Sequence, residues 1–589
     1  MDQFNQLLRQ TGEYGIVYQV SHPIIFIEGL PTVKTQEVIM FENGQKAEVF
    51  SINRGKIEAR SFSQEPIRVG TKVTKTGQLL SIPVGDELFG HTIDPLGEPL
   101  DPAAEFIRPK TLRPLDANPV GIAGRAGLDS SMVTGTTLID LMIPLGRGQR
   151  ELVIGDRKTG KTSFILTAIK NQVHEGIICI YAAIAKKKSD IKRLQEFFIA
   201  EKIMDKIVIV ATSSYSSPSI IYQTPYAAMA IAEYYRDLGK DTLIIFDDLS
   251  THAKFYRELS LLARRFPGRD SYPGDIFYIH SKLLERAGMF THPTRGKVAI
   301  SCFPVMEIVE GDLTGYVSTN VMGITDGHIY FDSNIYAQGS RPAVNIPLSV
   351  TRVGRQVSNK LTRDINKNLT IFLGKYEKLL NLSHFGQELT EETKKDLRIG
   401  DIINEFFKQP YQLTIPLTVQ SVILSLILQG VVDSKESLAT AKKSLLQAFT
   451  HEQYKKAFNA LADVSELKPF NENILLNKDA FLELIKNPDA QHVAFKIPPP
   501  KPKEQKHEEP KPTPPPQNPP PGSHAAPASP QANPAPGGNP NHPQSNGVTQ
   551  QPANPQPPGS PTPQPSPLQP VNPLSQQPTT PQPAKPEGS

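Results

Sequence analysis

The chain has 589 residues, which at roughly 150 residues per domain predicts three or four units and room for a substantial core. Its 63 Lys and Arg against 59 Asp and Glu leave a net charge of only +4, so no global basic field points to nucleic acid and any charge-based recognition has to be local. The two cysteines, Cys179 and Cys302, lie inside the apolar runs GIICIYAAI and VAISCFPV, which predicts reduced thiols packed in strands rather than a redox pair or a metal centre.

The opening segment, MDQFNQLLRQTGEYG, has neither the apolar core of a signal peptide nor the Arg- and Ser-rich, acid-free character of a transit peptide, so a cytoplasmic chain is expected. Residues 1–81 form the first predicted unit. From Glu13 onward the runs YGIVYQV, PIIFIEGL, EVIMF and KAEVFSI are short and β-rich, and Asn43-Gly44 between the last two is a two-residue hairpin signal. Short strands at this spacing predict a small closed β-barrel.

Over residues 82–350 strands alternate with helix-length segments, the mark of an α/β unit with a mainly parallel sheet under helices. The buried strand candidates ELVIG, GIICIYAAI, IVIVAT, TLIIFDD and KVAISCFPV are rich in β-branched residues, as burial on both faces requires. Residues 351–497 read as a helical unit. Ile365, Leu369, Phe372, Tyr376 and Leu380 recur at helical spacing, and LTVQSVILSLILQGVV is too short and too interrupted by Gln and Ser to cross a membrane, so it predicts a core helix.

Residues 498–589 differ in kind. They hold 32 of the 55 prolines and no Phe, Tyr or Trp, so they lack the apolar surface to offset chain entropy and are expected to be a disordered, polyproline-II-like tail acting mainly as a spacer.

The strongest chemical signal is Gly155-Asp156-Arg157-Lys158-Thr159-Gly160-Lys161-Thr162, a G-x-x-x-x-G-K-T loop between the strand ELVI and the helical SFILTAIKNQV. Such a loop turns backbone N–H groups toward phosphate oxygens at a helix N-terminus, where the dipole also favours anions. Lys161 is expected to reach the β and γ phosphates of ATP, or the β phosphate of ADP, and Thr162 to ligate Mg2+. A second acidic group belongs at the end of a buried strand on the metal side; TLIIFDD supplies Asp247, with Asp248 as the alternative. Hydrolysis further needs a carboxylate or Gln to orient water, yet GIICIYAAI runs into Ala185 and then Lys186, Lys187 and Lys188. Those lysines read equally as cations that hold triphosphate or as the solvated start of the next helix.

Several long blocks, GRGQRELVIGDRKTGKT, TLIIFDDLS, YPGDIFYIHSKLLERAG, STNVMGITDG and RPAVNIPLSVTRVG, resemble the alpha subunits of F-type ATP synthases, in the order of that family. The resemblance implies a barrel, a RecA-like nucleotide domain and a helical domain, alternating with catalytic beta subunits in a hetero-hexameric ring around a gamma central stalk, attached only indirectly to the cytoplasmic face of a bacterial cell membrane. It implies that Arg352, in SVTRVG, reaches in trans into the neighbouring beta subunit's site. It also implies that Gln409 and the position of Tyr411 lie near the adenine. Lys186 stands where the alpha family usually has Gln and the beta subunit its base Glu, which favours a site that binds without hydrolysing. Three departures accompany the likeness: Lys158 replaces a usual Gln, Tyr411 replaces another, and only about a dozen residues precede the barrel, so contact with the peripheral stalk stays open. Two other readings remain: an independent hexameric P-loop motor, and an alpha-like chain recruited to another membrane-associated machine.

Overall fold

A computed structural model describes residues 2–102, 105–384, 390–490 and 493–497, all within one unit, Met1–Pro502. The tail expected at 498–589 lies outside the described residues.

Six strands close a barrel: β1 (Gly15–Ser21), β2 (Ile24–Gly29), β3 (Glu37–Phe41), β4 (Lys46–Asn53), β5 (Lys56–Ser61) and β6 (Lys72–Leu79), in the order β1-β2-β5-β4-β3-β6, with β1 returning to β6 at Gly15 and Val73. Alternating side chains fill it, among them Val17, Ile25, Ile27, Ile39, Val49 and Val73. The hairpin signal is met: Gly44 adopts φ 85° and its N–H donates to the Phe41 carbonyl at 2.9 Å, joining β3 to β4. An N-terminal helix, Asp2–Thr11, was not legible in the sequence; it lies against β6, where Thr11 and Thr74 hydroxyls meet at 3.1 Å.

The barrel is keyed to the next region by a buried ion pair. Arg60 Nη2 donates to Glu48 Oε2 at 2.7 Å, and Gln223 Nε2 donates to the same oxygen at 2.6 Å from the long helix Pro218–Asp237.

The central sheet has nine strands among the described residues: β7 (Thr92–Ile93), β8 (Glu151–Gly155), β9 (Ile178–Lys186), β10 (Ile207–Ser213), β11 (Thr242–Asp247), β12 (Gly288–His292), β13 (Gly296–Glu307), β14 (Gly327–Phe331) and β15 (Val350–Thr351). Their order is β15-β14-β8-β13-β11-β9-β10-β7, with β12 beside β13. All pairs are parallel except β12 with β13 and β14 with β15. Each of the five apolar runs picked out from the sequence is one of these strands. Cys179 and Cys302 are buried in β9 and β13 as free thiols.

Helices carry the remainder, chief among them Lys360–His384, Glu391–Phe407, Leu417–Leu428 and Lys435–Phe449. The apolar helix expected from Leu417 ends at Leu428 and is buried along most of its length. The stripe on Lys360–His384 is only partly core: Ile365 and Leu369 are buried, whereas Leu380 faces outward. No described helix is long and apolar enough to cross a membrane.

Candidate functional site

Parallel strands leave their carboxyl ends on one edge of the sheet, and that is where the chemistry-bearing residues gather. Gly155 ends β8 in register with Glu307 at the end of β13 and Phe331 at the end of β14. Asp247 ends β11 opposite Ala183 of β9, three residues before Lys186. These ends border a cavity of about 560 Å³, large enough for a nucleotide.

The loop from Gly155 to Thr162 forms one wall. Gly155 has to be glycine, because a Cβ there would lie 2.2 Å from the Phe331 carbonyl oxygen; Gly160, at φ 101°, sits in the left-handed region just before the helix Lys161–His174. Asp156 is not aimed at ligand: its Oδ1 accepts the Gly311 N–H at 3.0 Å and so ties the loop to the segment after β13. Arg157 reaches Glu307 (2.7 Å), and Thr159 is buried with its hydroxyl on the Asp156 carbonyl (2.8 Å). Lys158, Thr159, Gly160, Lys161 and Thr162 line the cavity.

Lys161 is largely buried, and its ammonium donates to the carbonyls of Gly155 (2.8 Å) and Asp156 (2.6 Å). Burial pulls its pKa below the ordinary lysine value, partly opposed by the carboxylates of Glu307, Asp247 and Asp248. A bound phosphate would supply the counter-charge that these carbonyl dipoles only partly provide.

Of the three consecutive lysines that begin at the last residue of β9, only Lys186 enters the cavity; Lys187 and Lys188 are exposed at the start of the helix Lys188–Ala200. The reading as a solvated helix start therefore holds for Lys187 and Lys188, and Lys186 is set apart from them by its place on the cavity wall. Lys186 Nζ donates to Asp247 Oδ1 at 2.7 Å and to Asp248 Oδ2 at 3.2 Å. Burial alone would lower its pKa, but the two carboxylates outweigh that and raise it above the ordinary value, so the ammonium stays charged. The other oxygen of Asp247 accepts the buried Tyr181 hydroxyl at 2.6 Å. Asp248 caps the helix Leu249–Leu262 through the Thr251 N–H (2.6 Å) and accepts the Ser250 hydroxyl (2.7 Å), contacts that with Lys186 hold its carboxyl below the usual range against its burial. With an ammonium on Asp247, these residues do not fit the magnesium site expected from Thr162 and Asp247, although Thr162 itself is exposed to the cavity.

The far wall comes from two segments. Gln409 lines it, but its amide is committed to protein: Oε1 accepts the Thr137 N–H (3.0 Å) and hydroxyl (2.9 Å), while Nε2 donates to the Gly135 carbonyl (2.7 Å) and to that of Leu413. Tyr411 is 42% exposed, with its ring 6.0 Å from that of Phe197, which leaves a face for a ligand. The sequence reading missed Tyr336 and Arg341, which also line the cavity, the Arg341 guanidinium lying 3.9 Å over the Tyr336 ring. The signal available was an aromatic five residues before the Arg-Pro of RPAVN. Glu307 was missed as well, since nothing in KVAISCFPVME marks its last residue as facing a cavity.

Arg352 does not line this cavity. It is exposed just past the edge strand β15, where its backbone N–H donates to the Asp326 carbonyl (3.0 Å) and its guanidinium makes a long 3.4 Å hydrogen bond to the Thr325 carbonyl.

Residues 135–351 match the family described as ATP synthase alpha/beta family, nucleotide-binding domain, and residues 358–478 match ATP synthase alpha/beta chain, C terminal domain. The chain is 37% identical over 497 residues to the ATP synthase subunit alpha of Buchnera aphidicola subsp. Acyrthosiphon pisum (strain Tuc7), covering 82% of this chain and 95% of that protein. It is 36% identical over 476 residues to the ATP synthase subunit alpha of Petrotoga mobilis, covering 78% and 94%. With the namesake protein of Clostridium acetobutylicum it shares 36% identity over 460 residues, covering 78% and 91%.

Proposed function

The chain belongs to the family of F-type ATP synthase alpha subunits, and from that premise we propose that it is a nucleotide-holding, non-hydrolysing member of a ring shared with catalytic beta-type subunits around a gamma-type stalk. ATP or ADP lies with its phosphates against Gly155–Thr162 and Lys161, and with its base toward Tyr336 and Tyr411. The ring couples ATP synthesis or hydrolysis to ion flow from a peripheral position on the cytoplasmic face of the membrane.

The single observation that carries the non-hydrolysing reading is the side chain at the end of β9. A water-activating group is needed beside the terminal phosphate, and Lys186 presents a charged ammonium there, which has no lone pair to accept a proton. The other carboxylate on the cavity wall, Glu307, is held by Arg157 at 2.7 Å, which anchors it instead of leaving it free to meet a water.

In the same ring Arg352 acts across the boundary. Its exposure beyond the edge of the sheet, away from this chain's own cavity, supports a guanidinium that stabilises charge on the phosphoryl group in the neighbouring site.

The test is the ATPase rate of the purified full-length chain, alone and with a beta-type partner. Turnover should be negligible alone and appear on mixing. Vigorous hydrolysis by the chain alone that Glu307→Gln abolishes would replace this reading with that of an independent motor.

A further inference from the structure

We propose that this cavity binds its nucleotide without a divalent cation, with the Lys186 ammonium standing where the ion's charge would be supplied. The inference rests on the reading that the cavity holds a nucleotide. Its physical basis is a conflict over one carboxylate. A P-loop metal site uses the strand-end Asp to hold the ion through its water, so that carboxylate must be free to face the ion. Here Asp247 has an ammonium on one oxygen at 2.7 Å and a buried phenol on the other at 2.6 Å. Asp248 offers no substitute, because it accepts from Ser250, Thr251 and the same ammonium.

The backbone fixes Lys186 in this position. It is the last residue of β9, paired with Ser213 of β10, and its carbonyl accepts the Ser214 N–H at 3.1 Å. A four-carbon stem leaving that point delivers the charge to the phosphate end of the cavity. A dication entering there would meet a fixed cation already neutralising its intended partner. The nucleotide, by contrast, meets Lys158, Lys161, Lys186 and Arg341 on the cavity wall against the carboxylates of Asp247 and Glu307, a wall that stays net cationic toward a triphosphate. Free nucleotide is the more highly charged form, so a site built from ammonium groups has no electrostatic need of the metal complex.

The experiment is equilibrium binding of ATP to the purified full-length chain, in excess Mg2+ and in EDTA, for the natural sequence and for Lys186→Gln. The natural chain is expected to change affinity by less than about threefold between the two conditions, whereas Lys186→Gln should weaken by about tenfold or more in EDTA relative to Mg2+. A natural chain that loses about tenfold or more in EDTA overturns the proposal, and that comparison decides the matter should the variant fail to fold. ATP bound in neither condition would instead remove the nucleotide-holding reading itself, and this inference with it.

Discussion

Gln409 and Thr137 are 272 positions apart in the chain and share one hydrogen-bonding unit: Gln409 Oε1 accepts both the backbone N–H and the hydroxyl of Thr137, at 3.0 and 2.9 Å. With Nε2 given to the Gly135 and Leu413 carbonyls, the amide has no donor left for an adenine. The contact ties the segment after Glu391–Phe407 to the start of the short helix Thr137–Met142. A nearby pair repeats it, Gln420 Nε2 donating at 2.8 Å to Asp140, whose carboxyl burial pushes up to about 6 despite several donors.

Gln409→Leu is therefore expected to act on stability. Leaving the buried Thr137 N–H without an acceptor costs about 1–3 kcal/mol, read as a lower unfolding midpoint in urea. The preference for ATP over GTP should be unchanged. A variant of natural stability that no longer discriminates between the bases would restore the adenine contact implied by family likeness.

That example marks where sequence was informative and where it was not. The phosphate loop was legible because its chemistry is local: glycines at Gly155 and Gly160, Lys161 at the helix start and an apolar strand before them are all set by neighbours in the chain. The β-branched runs named five central strands for the same reason. What could not be read was pairing across the sheet. Only the placement of β9 beside β11 brings Lys186 to Asp247, and only β13 between β8 and β11 turns Glu307 toward the cavity. Tyr336 and Gln409 likewise take their places from packing between distant segments, which carries no periodic signature.

Lys161→Ala should impair binding without impairing the fold. Its ammonium lies in the cavity wall, where it donates to two carbonyls of its own loop. A hydrogen bond to a charged group contributes about 1.5–3 kcal/mol, so ATP affinity should drop about 10- to 100-fold. Thermal unfolding should move little, because the change also removes a buried charge. Unaltered affinity by calorimetry would show that phosphate sits elsewhere.

Arg352→Ala tests the neighbour's chemistry separately from this chain's binding. In a ring reconstituted with beta-type subunits, hydrolysis should decline by about 10³-fold, the lower end of the range for such arginines. Nucleotide held by this chain should be retained, since Arg352 is not part of its cavity wall. Steady-state turnover that survives the substitution would reject the role.

Glu48 and Arg60 make a prediction about the joint between barrel and sheet. Arg60 is 5% exposed, sandwiched between the Phe50 and Tyr222 rings at 4.4 and 4.5 Å, and its Nε and Nη1 have no hydrogen-bond partner. Glu48 is thus the charge that makes this guanidinium tolerable, although burial raises its own pKa against the pull of Arg60. Glu48→Ala should destabilise by about 3–5 kcal/mol by stranding the cation, and adding Arg60→Met should recover much of that loss. A double variant as unstable as the single would show that the pair contributes specific attraction beyond mutual neutralisation.

His252 and His280 give the chain an acid-sensitive core. His252 Nε2 lies 3.1 Å from the Tyr222 carbonyl and must donate to it, so its Nδ1 accepts from His280 Nε2 at 3.2 Å, and both rings are neutral. His280 Nδ1 then has no partner, and protonating it would create a buried donor with nothing to receive it. Burial, with Arg60 adding to it at His252, pushes the rings down to about 4 and about 3. The unfolded chain takes up these protons near pH 6.5 while the folded chain does not, so stability is complete above that pH and is lost as pH falls toward the folded values. The loss is about 1.4 kcal/mol per pH unit for each ring. Replacing both rings with Gln removes their contribution and leaves that of every carboxylate, so the natural chain should lose about 2–4 kcal/mol more than the double variant between pH 6.5 and pH 5. Parallel stability-against-pH curves for the two chains, measured by urea unfolding, would mean that the rings take up protons as readily in the fold as in the unfolded chain.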